Sequence, residues 1–130
     1  MNDLVTHPSH YTSDRFPFEC IEMTEGMGFN IGNMCKYVWR HLDKGRPVED
    51  LKKASWYLTR ERARCHDRKV RMFRMDPGSR RLLKTLVKRD CDYSDFWAAM
   101  LKRDVGDMYL WLHNSILRYS HGDMSKEPHA

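Results

Sequence analysis

Hydrophobic positions along this chain recur at intervals of three and four residues, interrupted by short polar or Gly/Pro-bearing breaks, and nowhere alternate long enough for a strand. The pattern predicts an all-α protein: a small helical bundle with an N-terminal extended arm and a C-terminal helical extension. Residues 1–16 are polar and contain Pro8, and read as the arm. Pro17 opens a first helix carrying Phe18, Ile21, Glu22 and Met23, which Gly26 and Gly28 end. A second helix runs from about Asn30, as N-cap, to Lys44, with Gly45 as the residue after it. Its core face is Ile31, Met34, Cys35, Val38 and Leu42. Pro47 suits the first turn of a third helix, with Glu49 and Asp50 near its positive end. Val48, Leu51, Ala54, Leu58 and Cys65 line one side of it as far as about Arg68. The later part, RERARCHDRKVRMFR, is so charged that it reads as solvated.

Asp76-Pro77-Gly78 then breaks the chain. Leu82, Leu83, Leu86 and Val87 make a short amphipathic helix. Ser94 caps another, with Phe96, Trp97, Met100 and Leu101, and Gly106 kinks or breaks it. Met108, Leu112 and Ile116 carry a stripe on to about Tyr119, and the last ten residues form a loose tail. The division expected is a helical domain with its arm over residues 1–68 and a helical extension over 69–130.

Composition adds a sign and a compartment. Of the 130 residues, 23 are Lys or Arg and 18 Asp or Glu, a formal net charge of +5. That balance favours anionic partners (nucleotides, nucleic acid, acidic membranes), or serves solubility alone. The four cysteines, at 20, 35, 65 and 91, form no C-x-x-C pair, so each reads as a small buried hydrophobe and a zinc or disulfide framework is not expected. Free thiols fit a reducing cytosol. The N-terminus lacks the apolar segment of a signal peptide, and no apolar run approaches a membrane span, so the expected location is the cytoplasm, with no membrane partner.

The second helix has an informative second face. At about 100° per residue, Asn33, Lys36, Tyr37, Arg40 and Lys44 form one stripe opposite the core. Arg grips phosphate bidentately, Lys as a point charge, Asn reads a base or sugar edge, and Tyr stacks. The same stripe also reads as an ordinary solvated face. On the third helix Asp50, Lys53 and Tyr57 share a stripe beside the apolar side. Asp50 and Lys53 read as an i,i+3 ion pair, or, if the stripe faces its neighbour, as the far wall of a polar groove. His7 and His10 on the arm are too few for a metal site, and no metal-ligating residues are assigned. Glu19-x-x-Glu22 and Asp104-x-x-Asp107 are helical carboxylate pairs of the kind that holds magnesium, but they stand far apart. Neither a phosphate loop, nor a dinucleotide fingerprint, nor a nucleophile elbow is present.

The runs HPSHY, FECIEM, GFNIGNMCKYVWRHLDKG and VEDLKKASWYL resemble a small domain family widespread in bacteriophages, which includes a nucleotide kinase of a short-tailed coliphage. The resemblance covers roughly residues 6–61. Its pattern falls on Pro8, Ser9, His10 and Tyr11, on Gly32, Asn33, Lys36, Tyr37 and Arg40, and on Lys44, Gly45, Asp50, Leu51, Lys53, Ala54 and Tyr57. Two features depart from it: His41-Leu42-Asp43 follows the Arg, and a basic helical extension follows from about Arg62.

The resemblance implies a protein that phosphorylates deoxynucleoside monophosphates without a conventional phosphate loop. Lys36, Arg40, Lys44 and Lys53 would hold phosphates, and Asn33 and Tyr37 would read the nucleoside. Ser9, Tyr11 and Tyr57 complete the binding set. His10 and Asp50 are the candidate catalytic residues, and Mg2+ would come with the nucleotide. One alternative is a non-catalytic sponge that sequesters cyclic or other nucleotide immune signals of the host. A further one is nucleic-acid binding along Arg60–Arg81 with Phe73. A homo-oligomer is expected, with Trp97, Met108, Trp111 and Leu112 either at the subunit contact or folded back on their own chain.

Overall fold

The structure, a computed structural model, describes residues 15–66 and 68–123. It is all-α among those residues: α1 (Cys20–Thr24), α2 (Phe29–Arg40), α3 (Pro47–Cys65), α4 (Lys69–Met72), α5 (Pro77–Lys88), α6 (Ser94–Leu101) and α7 (Val105–Ser120). The only extended pairing among them is an isolated bridge between Met27 and Met75.

Helices α2 and α3 pack along their length. Ile31, Met34, Cys35, Val38 and Trp39 of α2 are buried, with Leu51, Ala54 and Leu58 of α3. These are the apolar positions read from the periodicity, with Trp39 added and Leu42 and Val48 only half-buried. α7 lies against α3, α6 against α7, and α5 against both α6 and α1. One core therefore runs through both halves of the sequence: Trp39 meets Trp97 with ring centroids 6.1 Å apart. Trp97, Met108, Trp111 and Leu112 are buried in it, so of their two expected roles these residues take the intrachain one. Leu110 and Leu117 are the exposed apolar residues of α7.

Several local expectations are corrected. α1 starts at Cys20 rather than Pro17, and the Glu22 carboxylate accepts from the Glu19 N–H at 2.7 Å, closing a capping box. That pair therefore caps a helix, as does Asp104, whose side chain accepts from the Asp107 N–H. α2 begins two residues early, with Gly28 rather than Asn30 as N-cap, and ends at Arg40 rather than Lys44. α3 stops at Cys65 because His66 turns left-handed at φ 50°. Tyr93, not Ser94, is the N-cap of α6. Asp76 caps α5 as its sequence suggests, accepting from the Ser79 N–H at 2.7 Å.

The charged run after Arg60 is not a solvated surface throughout. Glu61, Cys65, Met72 and Phe73 are buried. Glu61 accepts from Asn30 Nδ2 at 3.0 Å and from Arg64 Nε at 2.8 Å, which ties the start of α2 to the end of α3. These hydrogen bonds hold its carboxyl below the usual range.

Candidate phosphate-binding groove

The polar stripes of α2 and α3 face one another, and their centre is Tyr37. Tyr57 stacks on it with centroids 6.0 Å apart and planes at 13°. Three cations lie over the Tyr37 ring: Lys36 Nζ at 4.5 Å, the Arg40 guanidinium at 4.8 Å and Lys53 Nζ at 5.4 Å from its centroid. The ring's quadrupole attracts each of them and so offsets their mutual repulsion. Charges this close to a single point act on an incoming anion together, since screening at physiological salt needs about 8 Å to take hold.

The counter-charges differ in kind. Asp50 is 4% exposed and its Oδ1 accepts from Arg40 Nη2 at 3.5 Å, while its Oδ2 has no hydrogen-bond partner among the described residues. A buried carboxylate of this sort depends on its cation, so Asp50 positions Arg40. Lys53 pairs with Glu49 at 3.8 Å, not with Asp50, and Glu49 also meets Arg46 at 3.3 Å. Both pairs are exposed and weak. Lys36 has no carboxylate partner among the described residues.

Of the residues expected at a binding site, Lys36, Tyr37, Arg40, Asp50, Lys53 and Tyr57 are thus brought together. Asn33 is one turn away on α2 and donates from Nδ2 to the Phe29 carbonyl at 2.9 Å. Lys44 stands in the exposed turn before Gly45 and is not among the cations over Tyr37. Ser9, His10 and Tyr11 lie outside the described residues. Phe73, expected to stack on nucleic acid, is 2% exposed and has no free face to offer.

Residues 5–59 match the model of a family described as a protein of unknown function (DUF3310). The match supports a small domain in this part of the chain. It takes in α1, α2 and α3 as far as Thr59, and with them every residue over or beside Tyr37. Neither curated proteins nor solved structures give a match. None of the described helices is long and apolar enough to cross a membrane.

Phe29 and Trp56 were not foreseen at the site. Phe29 meets Tyr57 edge-on at 6.0 Å and Trp56 meets it at 5.1 Å, and both are largely exposed. Phe29 stands at i−4 from Asn33 and i−8 from Tyr37. It is one more turn of the same stripe on a helix that Gly28, not Asn30, caps.

Proposed function

We propose that this protein binds a nucleotide through its phosphates in the groove between α2 and α3. The observation that carries this reading is the convergence of Lys36, Arg40 and Lys53 on the Tyr37 ring, within 5.4 Å of its centroid. Two stacked tyrosines with three cations over one of them set aromatic surface beside concentrated positive charge, which complement the base and the phosphates of a nucleotide. On this reading the chain is a bacteriophage protein at work in the host cytoplasm, related in kind to a deoxynucleoside monophosphate kinase.

Turnover is the finer question. Phosphoryl transfer would draw on positioning and charge neutralisation, with Lys36, Arg40 and Lys53 holding the transferred group and His10 orienting the acceptor. Magnesium would have to come with the nucleotide. The carboxylate of Asp50 is buried against Arg40 and is not turned outward to hold an ion. The engagement of Asp50 favours the second reading, sequestration of a nucleotide signal without chemistry.

A thermal-shift panel of nucleoside mono-, di- and triphosphates and cyclic nucleotides, with and without magnesium, tests the reading. Stabilisation by monophosphates and triphosphates, followed by labelled phosphate appearing on the monophosphate, identifies a kinase. Stabilisation confined to cyclic or signalling nucleotides, with the ligand recovered intact, identifies sequestration. No shift with any of them removes the proposal.

A further inference from the structure

Lys36 belongs to two neighbouring features. Its Nζ lies 4.5 Å from the Tyr37 ring on the α3 side, and its side chain also lines a groove of about 320 Å3 between α1 and α2. The walls of that groove are Ile21, Thr24 and Met27 on one side and Phe29 and Asn33 on the other. Two glycines shape it. At Gly32 a Cβ would come within 3.3 Å of the Thr24 carbonyl, so glycine lets α1 close on α2, whereas at Gly28 the space is open. Phe29 is 76% and Ile21 58% exposed, two of the largest apolar exposures among the described residues. Exposed apolar side chains lining one slot, with a cation in its wall, form a site for a flat apolar group attached to an anion.

Resting on the nucleotide reading above, we infer that this groove is the base subsite: the nucleobase enters between Ile21 and Phe29, and Lys36 is the joint from which its phosphates run toward Arg40 and Lys53. The charge chooses the occupant. An apolar peptide or a second copy of the chain would gain nothing from Lys36 in the wall of the slot or from Arg40 and Lys53 beyond it at Tyr37, while a phosphorylated base satisfies the apolar wall and the cations at once. Asn33 supplies the polar contact. Its Nδ2 is committed to the Phe29 carbonyl, which leaves Oδ1 as an acceptor and favours a base edge that presents an N–H.

Phe29 is exposed enough to be removed without touching the core, so Phe29→Ala separates the subsite from the fold. The full chain and this variant are titrated calorimetrically with a deoxynucleoside triphosphate and with inorganic tripolyphosphate, the same phosphates with and without a base. Loss of one aromatic stacking face is expected to weaken the nucleotide about tenfold and to leave tripolyphosphate unchanged. Equal affinity of the intact protein for the two probes, or equal losses of both in the variant at an unaltered melting temperature, overturns the base subsite. So does a variant that binds both probes as the intact protein does, while Lys36→Ala loses both; the phosphate groove would then stand and the base would lie elsewhere. If the intact protein binds neither probe, the nucleotide reading itself fails, and the subsite with it.

Discussion

His41 is fully buried between α2 and α7, with Tyr93, Trp111 and Tyr119 around it. Its Nδ1 donates to the Val38 carbonyl, and its Nε2 accepts from the Tyr119 hydroxyl at 3.3 Å, so both ring nitrogens are used by the neutral form. Burial pushes its pKa down from 6.5 to about 4, against the opposing effect of the Val38 hydrogen bond. The folded protein thus resists a proton that the unfolded chain accepts. Stability is at its full value above pH 6.5, falls as pH drops from 6.5 toward 4, and levels off below that, a loss of roughly 3 kcal/mol. His41→Leu is expected to flatten that part of a melting-temperature profile. An unchanged slope between pH 6.5 and 4 would place its origin elsewhere.

Arg40 is the residue whose two roles are hardest to separate. The stripe on α2 presents it as a ligand-binding cation, yet its guanidinium is 13% exposed and beside the buried Asp50. Arg40→Ala leaves that carboxylate buried without its charge partner, and should cost about 3 kcal/mol in denaturant unfolding. Adding Asp50→Asn should recover part of this, because a neutral amide tolerates burial better than a carboxylate. A single variant as stable as the intact protein would show that Asp50 does not depend on Arg40.

At the level of elements, the helices were legible where a strong apolar period met a strong terminator. Asp76-Pro77 fixed the start of α5, and the stripe Ile31, Met34, Cys35, Val38 fixed the core face of α2. What the sequence hid were ends set by backbone geometry or by distant partners. Asn30 has the composition of a cap, but its amide is drawn into the Glu61 carboxylate thirty-one residues away, and Gly28 caps α2 without a side chain. The charged segment after Arg60 looked solvated because one buried Glu, one Cys and two apolar residues are outnumbered there by arginines that stay at the surface. The stripes of α2 and α3 were each readable, but the partner of Asp50 was not: it meets Arg40, on the other helix, only once the two are packed.

The junction between α1 and α5 is held in a similarly non-local way. The Asp76 N–H donates to the Gly26 carbonyl at 2.9 Å, and a Cβ at position 26 would overlap the Asp76 carboxylate and the Ser79 hydroxyl. Gly26→Ala must therefore displace the cap of α5. A destabilisation of about 1–2 kcal/mol is expected from the overpacking and the weakened cap. It is measurable by thermal or chemical unfolding, and an alanine variant of full stability would mean that the cap moves aside freely.

On the scale of the whole molecule, the N-terminal helices carry the cations gathered over Tyr37 and the C-terminal helices pack against them. α7 packs on α3, the Thr59 and Tyr109 hydroxyls meet at 2.6 Å, and His41 and Tyr119 close the other end of the contact. The groove is thus built on two helices whose backs are fixed by a shared core, an arrangement that would hold the cations in place ahead of the proposed ligand. The net charge of +5 would by itself attract any polyanion. What distinguishes a site from that general attraction is dependence on particular cations. The direct measurement is the dissociation constant of a deoxynucleotide for the intact chain and for Lys36→Ala/Lys53→Ala, two substitutions that leave the Arg40–Asp50 pair intact. The account predicts a loss of at least thirtyfold, of the order of 2 kcal/mol, with an unchanged melting temperature. A double variant that binds the nucleotide as tightly as the intact protein would contradict it.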